Sequence, residues 1–348
     1  MKQKDIITAL SHLGNLMLSL GNKKKWNNSL LNINEEMYND FGTLINSQIS
    51  YNGWFTKENV SQSIIANANF LNEIELKKWV SNYSYTHRPK NIAIIMAGNI
   101  PLVGFHDLLC VLVSGNKAIC KLSSNDKTLI PSFINYLFDL LPELKNRIEF
   151  TSGTIKKIDA VIATGSDNSL SFFKEYFGKY PYIFRSNRTS VAIIEGSETI
   201  DEINKLGHDI FDYFGLGCRN VSHIFFPKGY SLKSFFEGIV GHRNVIYNNK
   251  YANNYDYNKA IFLMSKEKLY DNDFVLLRES NELFSPLSMI HYQFYRSKEE
   301  VEKYIKDHEN KIQIVISRSH INFGMSQYPK IDDYADGVDV FKWLNDLK

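Results

Sequence analysis

The polar and apolar positions along the chain change character near residue 90. Before that point long stretches mix polar and apolar residues, as in residues 60–83, and predict helices. After it, short apolar runs without polar alternation predict strands at 91–96, 116–122 and 160–163, with a weaker one at 148–151. Between and after these runs, residues 101–113, 129–144 and 169–177 read as helices. The first of them opens with Pro101, a residue suited to a first helical turn. A second series begins near residue 190. It has strand patterns at 190–195, 222–227, 275–276, 288–294 and 312–316, and a helix over 203–214 that runs into Gly215-Leu216-Gly217-Cys218. A short helix is predicted over 340–347.

Strand and helix in alternation imply parallel strands joined by crossover helices. Strands that are apolar on both faces fit a sheet covered on both sides. The fold class is therefore α/β, and the first series has the pattern of a Rossmann-like nucleotide-binding domain. It lacks the glycine-rich dinucleotide fingerprint, since Gly165 stands alone after the third strong strand. A boundary near 187–189 divides the chain into a helical region plus cofactor-type domain over 1–188, a second α/β domain over 189–327, and a tail over 328–348. The tail is expected to pack back on the body or on a partner subunit.

Composition narrows the function. The 348 residues carry 40 Lys and Arg against 38 Asp and Glu, a net charge of +2, so nothing recommends nucleic acid or an anionic membrane as a partner. Three cysteines, Cys110, Cys120 and Cys218, do not make a disulfide framework, and none has metal-ligand spacing. No metal is expected, and reduced thiols point to the cytoplasm. The apolar stretch at 100–113 is broken by His106 and Asp107 and is too short to span a membrane. The first twenty residues read as an amphipathic helix that packs on its own domain, not as a signal peptide.

Cys218 is the candidate nucleophile. It follows a helix in a glycine-flanked turn, where glycines permit tight backbone and close approach of a substrate. Arg219 beside it favours a thiolate, the reactive form. The competing reading is a buried cysteine acting as a small hydrophobe, and for Cys110 and Cys120 that reading is preferred. Asn99 follows the first strand, at the end where ligands collect in open α/β sheets. Its amide can serve an oxyanion, cap the next helix, or do both. His106, His208 and His223 are weaker candidates for proton transfer, His223 being better read as a structural histidine.

The ordered set of these pieces resembles the aldehyde dehydrogenase superfamily. It comprises the Asn99-Ile100-Pro101 turn, Gly115-Asn116 followed by Lys121, Thr164-Gly165-Ser166, Cys218 between glycine and arginine, and Glu282-Leu283-Phe284-Ser285-Pro286. Within that superfamily it is most similar to the acyl-CoA reductases of bacterial luminescence, over residue 91 onward, with 215–227 and 333–344 as distinctive stretches. The resemblance implies roles. Cys218 would be the nucleophile and Asn99 the oxyanion asparagine. Lys121 would contact the adenosine ribose, with Ser123 and Ser124 beside it. Thr164, Gly165 and Ser166 would pass over the pyrophosphate, and Glu282 and Phe284 would hold the nicotinamide ribose and ring. NAD-preferring relatives often place a glutamate at the Ser123–Ser124 position. Its absence leans towards NADPH, because a carboxylate there repels a 2′-phosphate. No glutamate stands in Phe184-Arg185-Ser186-Asn187-Arg188, where hydrolytic relatives keep a base for water.

The implied reaction is reduction of an acyl-CoA, of fatty acyl type, to an aldehyde through an acyl-enzyme on Cys218, with NADPH as reductant and coenzyme A as leaving group. A short-chain CoA-acylating aldehyde dehydrogenase is the alternative inside this class. A thiol acyltransferase or thioesterase without cofactor is one outside it, and a non-catalytic module with an inert cysteine is another. A homo-oligomer is expected, with an acyl-transferring or acyl-activating enzyme as a further partner.

Overall fold

A computed structural model describes residues 1–347. The chain forms two compact units, one made of Met1–Ser186 with the segment from Lys330 onward, the other of Asn187–Pro329.

The first unit opens with four helices, α1 (Gln3–Gly21), α2 (Glu35–Tyr51), α3 (Lys57–Asn69) and α4 (Glu73–Val80). Polar residues in the joints start the last three. The side chains of Asn34, Thr56 and Asn72 accept hydrogen bonds from main-chain N–H groups of the first turns they precede, satisfying donors that a helix leaves open. Helix α1 buries Ile6, Leu10, Leu13 and Met17 at helical spacing, so it is a core helix of this unit. Strand and helix then alternate through β1 (Asn91–Ile95), α5 (Phe105–Val113), β2 (Lys117–Lys121), α6 (Leu129–Leu140), β3 (Ile148–Phe150), β4 (Ala160–Thr164), α7 (Asp167–Phe177) and β5 (Tyr182–Arg185). The sheet order is β3-β2-β1-β4-β5 and every pairing is parallel. All five strands therefore end on one edge, and the order reverses direction between β1 and β4. Alternate residues go to opposite faces. Ile92, Ile94 and Ile162 join the large core beneath the helices, while Ala93, Val161 and Ala163 meet Phe173 and Phe177 of α7. A closing helix (Val340–Asp346) buries Val340, Phe341 and Leu344 in that same large core.

Two expected helices are shorter than their patterns. The one predicted from residue 101 starts at Phe105. Leu102 has a left-handed backbone (φ 62°), and its N–H donates to the buried carboxylate of Asp126 at 2.9 Å, so Pro101 heads a turn and no helix. The residue capping α5 is Gly104, so Asn99 does not cap it. The helix expected to reach 144 stops at Leu140, because Leu141 is extended ahead of Pro142, and a short 3-10 turn follows.

The second unit contains β6 (Thr189–Ile193), α8 (Ile200–Phe211), β7 (Val221–Pro227), α9 (Leu232–Ile239), α10 (Asn249–Met264), β8 (Leu269–Asp271), β9 (Leu276–Glu279), β10 (Met289–Tyr295), α11 (Lys298–Asp307) and β11 (Ile312–Ile316). Its sheet order is β11-β6-β7-β10-β9-β8, parallel except for β8 at the edge. Helix α8 was expected to run to 214. It ends at Phe211 because Tyr213 and Phe214 take left-handed conformations (φ 53° and 58°). Among the described residues no helix is long and apolar enough to cross a membrane, and no group of His, Cys, Asp and Glu is arranged to hold a metal.

Candidate functional site

In the first unit the candidate residues collect on the carboxyl-end edge of the sheet, in the loops after β1, β2 and β4. Asn99 is exposed in the turn after β1. Gly98 beneath it is tightly covered, since a Cβ there would lie 2.5 Å from Ser123 Oγ and 2.6 Å from its Cβ. Only glycine lets the loop after β2 close over the exit of β1. Ser123 Oγ also accepts from Asn125 N–H at 3.2 Å, so this hydroxyl builds the loop. Lys121 and Ser124 are exposed on either side of it. Asp126 completes the joint. One carboxylate oxygen holds Leu102 N–H, the other has no hydrogen-bond partner, and burial pushes its pKa up to about 6.

Thr164, Gly165 and Ser166 link β4 to α7. Ser166 is the N-cap of α7, its Oγ accepting from Ser169 N–H at 3.4 Å. Gly165 packs on the helix, where an added Cβ would come within 2.8 Å of Ser169 Cβ. Its N–H donates to Arg185 O at 3.3 Å. The donors available to an anion are thus those of the first turn of α7, beside Asp167.

Arg185, at the end of β5, carries no motif that marks it in the sequence. It forms a two-pronged, buried ion pair with Asp107 in the first turn of α5, one contact being Nη2 to Oδ1 at 2.8 Å. Burial works against the guanidinium charge, but Asp107 overcomes it, and the arginine pKa is raised. His106, the neighbouring residue, is half-buried with its Nε2 on Ile331 O at 2.8 Å and its pKa lowered by desolvation. Cys110 and Cys120 are both buried, with thiol pKa values raised by desolvation, as expected of core cysteines.

In the second unit Cys218 is exposed, unlike the other two cysteines. Its turn is built by Asn220, a role that no local signal in the sequence marks. Asn220 Oδ1 accepts from Gly217 N–H at 2.8 Å, and its Nδ2 donates to the carbonyls of Asp209 at 3.2 Å and Asp212 at 2.9 Å. One buried amide thereby caps the end of α8 and closes the loop around the cysteine. Ser190 Oγ donates to Cys218 O at 3.0 Å. Arg219 Nε donates to Ser326 O at 2.5 Å, in a loop that the buried Asp209 carboxylate anchors through Gly324 and Ser326 N–H. His208 is exposed and paired with the Asp212 carboxylate at 3.1 Å, which raises its pKa.

Glu282 and Phe284 share another loop of this unit, both exposed while Leu283 between them is buried. Two buried histidines fix that loop by its main chain. His223 Nδ1 and His291 Nδ1 both lie on Glu282 O, at 3.0 and 2.9 Å. Each must donate to the carbonyl, which leaves each Nε2 as an acceptor. Gln293 Nε2 at 3.2 Å and Arg278 Nη1 at 3.4 Å occupy those positions. Desolvation holds both imidazoles neutral, with His223 pushed down to about 4. The Glu282 carboxylate itself reaches Arg278 at 3.2 Å.

The clamp has a measurable consequence. A histidine whose folded pKa is depressed contributes stability that is complete above its ordinary value of 6.5 and is lost as pH falls towards about 4. Compared with His223→Gln, which does not titrate there, the wild type should lose about 2 kcal/mol of unfolding free energy between pH 7 and pH 5. Urea titrations at the two pH values measure this. A pH-independent difference would mean that His223 is not held neutral.

The chain is similar to several known proteins. A family model described as acyl-CoA reductase (LuxC) matches residues 1–234. The long-chain acyl-protein thioester reductase of Aliivibrio fischeri is 26% identical over 202 residues, covering 53% of this chain and 42% of that protein. The long-chain acyl-protein thioester reductase 2 of Photobacterium leiognathi is 24% identical over 200 residues, covering 52% and 42%. The matched stretch spans less than half the length of either relative. Among solved structures, the P. syringae indole-3-acetaldehyde dehydrogenase AldA with NAD+ and IAA aligns over 91% of this chain and 72% of its own, at TM-score 0.64 and 11% identity. An E. coli NADP-dependent enzyme aligns over 91% and 73%, at TM-score 0.63 and 12% identity. The fold is that of the aldehyde dehydrogenases, and the chain belongs to the acyl-CoA reductase (LuxC) family.

Proposed function

We propose that this protein reduces an acyl thioester of fatty acyl type to the aldehyde, with Cys218 as nucleophile, Asn99 as oxyanion donor and NADPH as reductant. The observation that carries the reading is the exposure of Cys218 on a turn whose backbone is fixed by Asn220, while Cys110 and Cys120 are sealed in a core. A thiolate there attacks the thioester carbonyl, the C–S bond to the donor breaks, and the donor thiol departs with a proton. The acyl group remains on sulfur as a new thioester. An amide such as that of Asn99 stabilises the oxyanion formed on the way, a contribution of about 3 kcal/mol. The stretch 184–188 contains no carboxylate to activate water, and Arg185 within it is committed to Asp107. An acyl-enzyme without a water-activating base survives to be reduced.

The residues after β2 and β4 suit a dinucleotide. They offer an exposed ammonium on Lys121, the Ser124 hydroxyl, and the amino end of the eleven-residue helix α7, flanking the point where the strand order reverses. Bound there, reduced nicotinamide supplies the hydride that the protein's side chains cannot. The absence of a carboxylate at Ser123 and Ser124 favours the 2′-phosphorylated form, and Glu282 and Phe284 are the residues offered to the nicotinamide end. Coenzyme A is the donor inferred from the family description, and a protein-bound acyl thioester is the donor in the names of the Aliivibrio fischeri and Photobacterium leiognathi relatives.

The test is consumption of NADPH absorbance with decanoyl-CoA, repeated with NADH. Thioester-dependent oxidation is expected, at least tenfold faster with NADPH. Thioester cleavage without any cofactor consumption would replace this reading with an acyltransferase or thioesterase.

A further inference from the structure

Asp209 is fully buried in the last turn of α8. Three influences oppose a charge there. Water is excluded, the carbonyl end of a helix repels an anion, and the Asp212 carboxylate adds like charge. Among the described residues no cation pairs with it. Two main-chain donors of one loop meet its oxygens instead, Gly324 N–H on Oδ2 at 2.6 Å and Ser326 N–H on Oδ1 at 2.9 Å. Burial prevails, and the pKa is pushed up to about 6. The fold therefore loses stability as pH rises from the ordinary value of 3.8 through about 6. At neutral pH the charge is a burden to folding, and its use lies in what it holds.

The bonds on both sides of Cys218 end at this residue. On one side, Gly217 N–H donates to Asn220 Oδ1 at 2.8 Å, and Asn220 Nδ2 donates to Asp209 O at 3.2 Å. On the other, Arg219 Nε donates to Ser326 O at 2.5 Å, and Ser326 N–H donates to the Asp209 carboxylate. The first line ends on a main-chain carbonyl and does not change with pH. The second needs the ionised form, in which each oxygen accepts one N–H. A protonated carboxyl turns one oxygen into a donor, so one of the two loop bonds is lost. The loop sits close on the helix, since a Cβ added to the left-handed Gly324 (φ 84°) would lie 3.2 Å from Lys205 Cβ.

We propose that Asp209, as a carboxylate, is a positioning residue for Cys218, fixing Arg219 through the 324–326 loop and so keeping the neighbouring thiol reactive. The proposal rests on the reading of Cys218 as the acyl-carrying thiol and adds the residue that holds it ready. A guanidinium anchored beside a thiol favours the thiolate more than one that swings into solvent. Other charged groups lie around Asp209. His208 is paired with Asp212, Lys205 with Asp201 and Arg318 with Glu202. His242 packs on His208 with ring centres 4.7 Å apart, its Nε2 on Asn204 O. Of these groups the two histidines also titrate near neutrality, so the test includes them.

The test is alkylation of Cys218 by iodoacetamide, an uncharged probe, followed by peptide mass from pH 5 to pH 8. Thiolate content alone makes the rate fall about tenfold per pH unit. In wild type the fall should steepen to about fiftyfold between pH 6 and pH 5, as Asp209 protonates as well. Asp209→Asn should react about fivefold or more slower at pH 7 and fall only about tenfold over that interval. Arg219→Ala should lose the steep part too, whereas His208→Gln and His242→Gln should keep it. A tenfold fall throughout in the wild type overturns the role of Asp209, whether or not the variants fold. A steep fall that survives in Asp209→Asn or Arg219→Ala does the same. Decanoyl-CoA at pH 7 separates the two claims. If Cys218 alkylates with the steep profile and takes no acyl group, the acyl-enzyme reading falls and the positioning of the thiol stands. If Cys218 alkylates at no pH, both fall.

Discussion

Replacing Cys218 with serine should remove thioester-dependent NADPH consumption, by a factor on the order of 10^4 or more, while NADPH binding persists. At neutral pH a thiol is a few per cent thiolate and intrinsically nucleophilic, whereas a serine hydroxyl without a general base is neither. Nothing in the turn supplies that base. Asn220, Ser190 and Arg219 engage it through amide, hydroxyl and guanidinium, and the side chain of Arg219 is bonded to Ser326 O. The buried cysteines cannot take over, since burial holds both as neutral thiols inside the first unit. Intact mass spectrometry after exposure to labelled decanoyl-CoA should show one acyl group on the wild type and none on Cys218→Ser. Equal labelling of the two proteins would remove Cys218 from the mechanism. Cofactor binding, followed by nicotinamide fluorescence, distinguishes a lost nucleophile from a lost fold.

Asp107→Ala should destabilise the protein by about 3–5 kcal/mol. The pair it breaks is buried on both sides, with side-chain exposures of 8% for Arg185 and 6% for Asp107. Alanine leaves the guanidinium in the interior without a counter-charge, and Arg185 Nε already lacks a partner there. A loss of that size corresponds to a fall of about 10 °C in the melting temperature of a unit of this length. The double change Asp107→Leu with Arg185→Met should recover most of it, because two apolar residues carry no desolvation cost. A single-variant loss below about 1 kcal/mol would contradict the burial of the pair. The pair joins the start of α5 to the end of β5. Its removal should therefore also loosen the Asn99 turn just ahead of α5, seen as a fall in acylation rate beyond that explained by unfolding.

The sheets were largely legible in the sequence, and the reason is local. Strands buried on both faces are written as uninterrupted apolar runs, so β1, β2 and β4 stand out from their neighbours. What the sequence hid depends on partners distant along the chain. The late start of α5 is decided by Asp126, which is 24 residues beyond the Leu102 N–H that it holds. The early end of α8 is decided by Asn220, whose amide gathers its last carbonyls. Helix α10 gave no periodic signal because it is anchored by Tyr251 and Tyr255, bonded through their hydroxyls to Phe274 O and to Asp271, on an otherwise Asn-rich surface. Among the candidate site residues, Cys218, Glu282 and Phe284 could be named from motif order. The histidines that hold the Glu282 loop could not be linked to it, because they grip a main-chain carbonyl, which every residue possesses.

The helix that closes the first unit comes from the far end of the chain, and this shapes how the protein is made. Trp79 and Tyr83 wait beside α5 for Tyr334 and Phe341, with Trp79 Nε1 donating to Tyr334 OH at 2.8 Å and Tyr83 stacked on Phe341 at 4.2 Å between ring centres. During translation those partners leave the ribosome only after all of Asn187–Pro329 has emerged. The second unit is continuous and can finish folding while the nascent chain is still tethered. The first must hold an unfilled apolar socket open until the segment from Lys330 onward has emerged, and through that interval it is the half of the molecule exposed to chaperones and to aggregation.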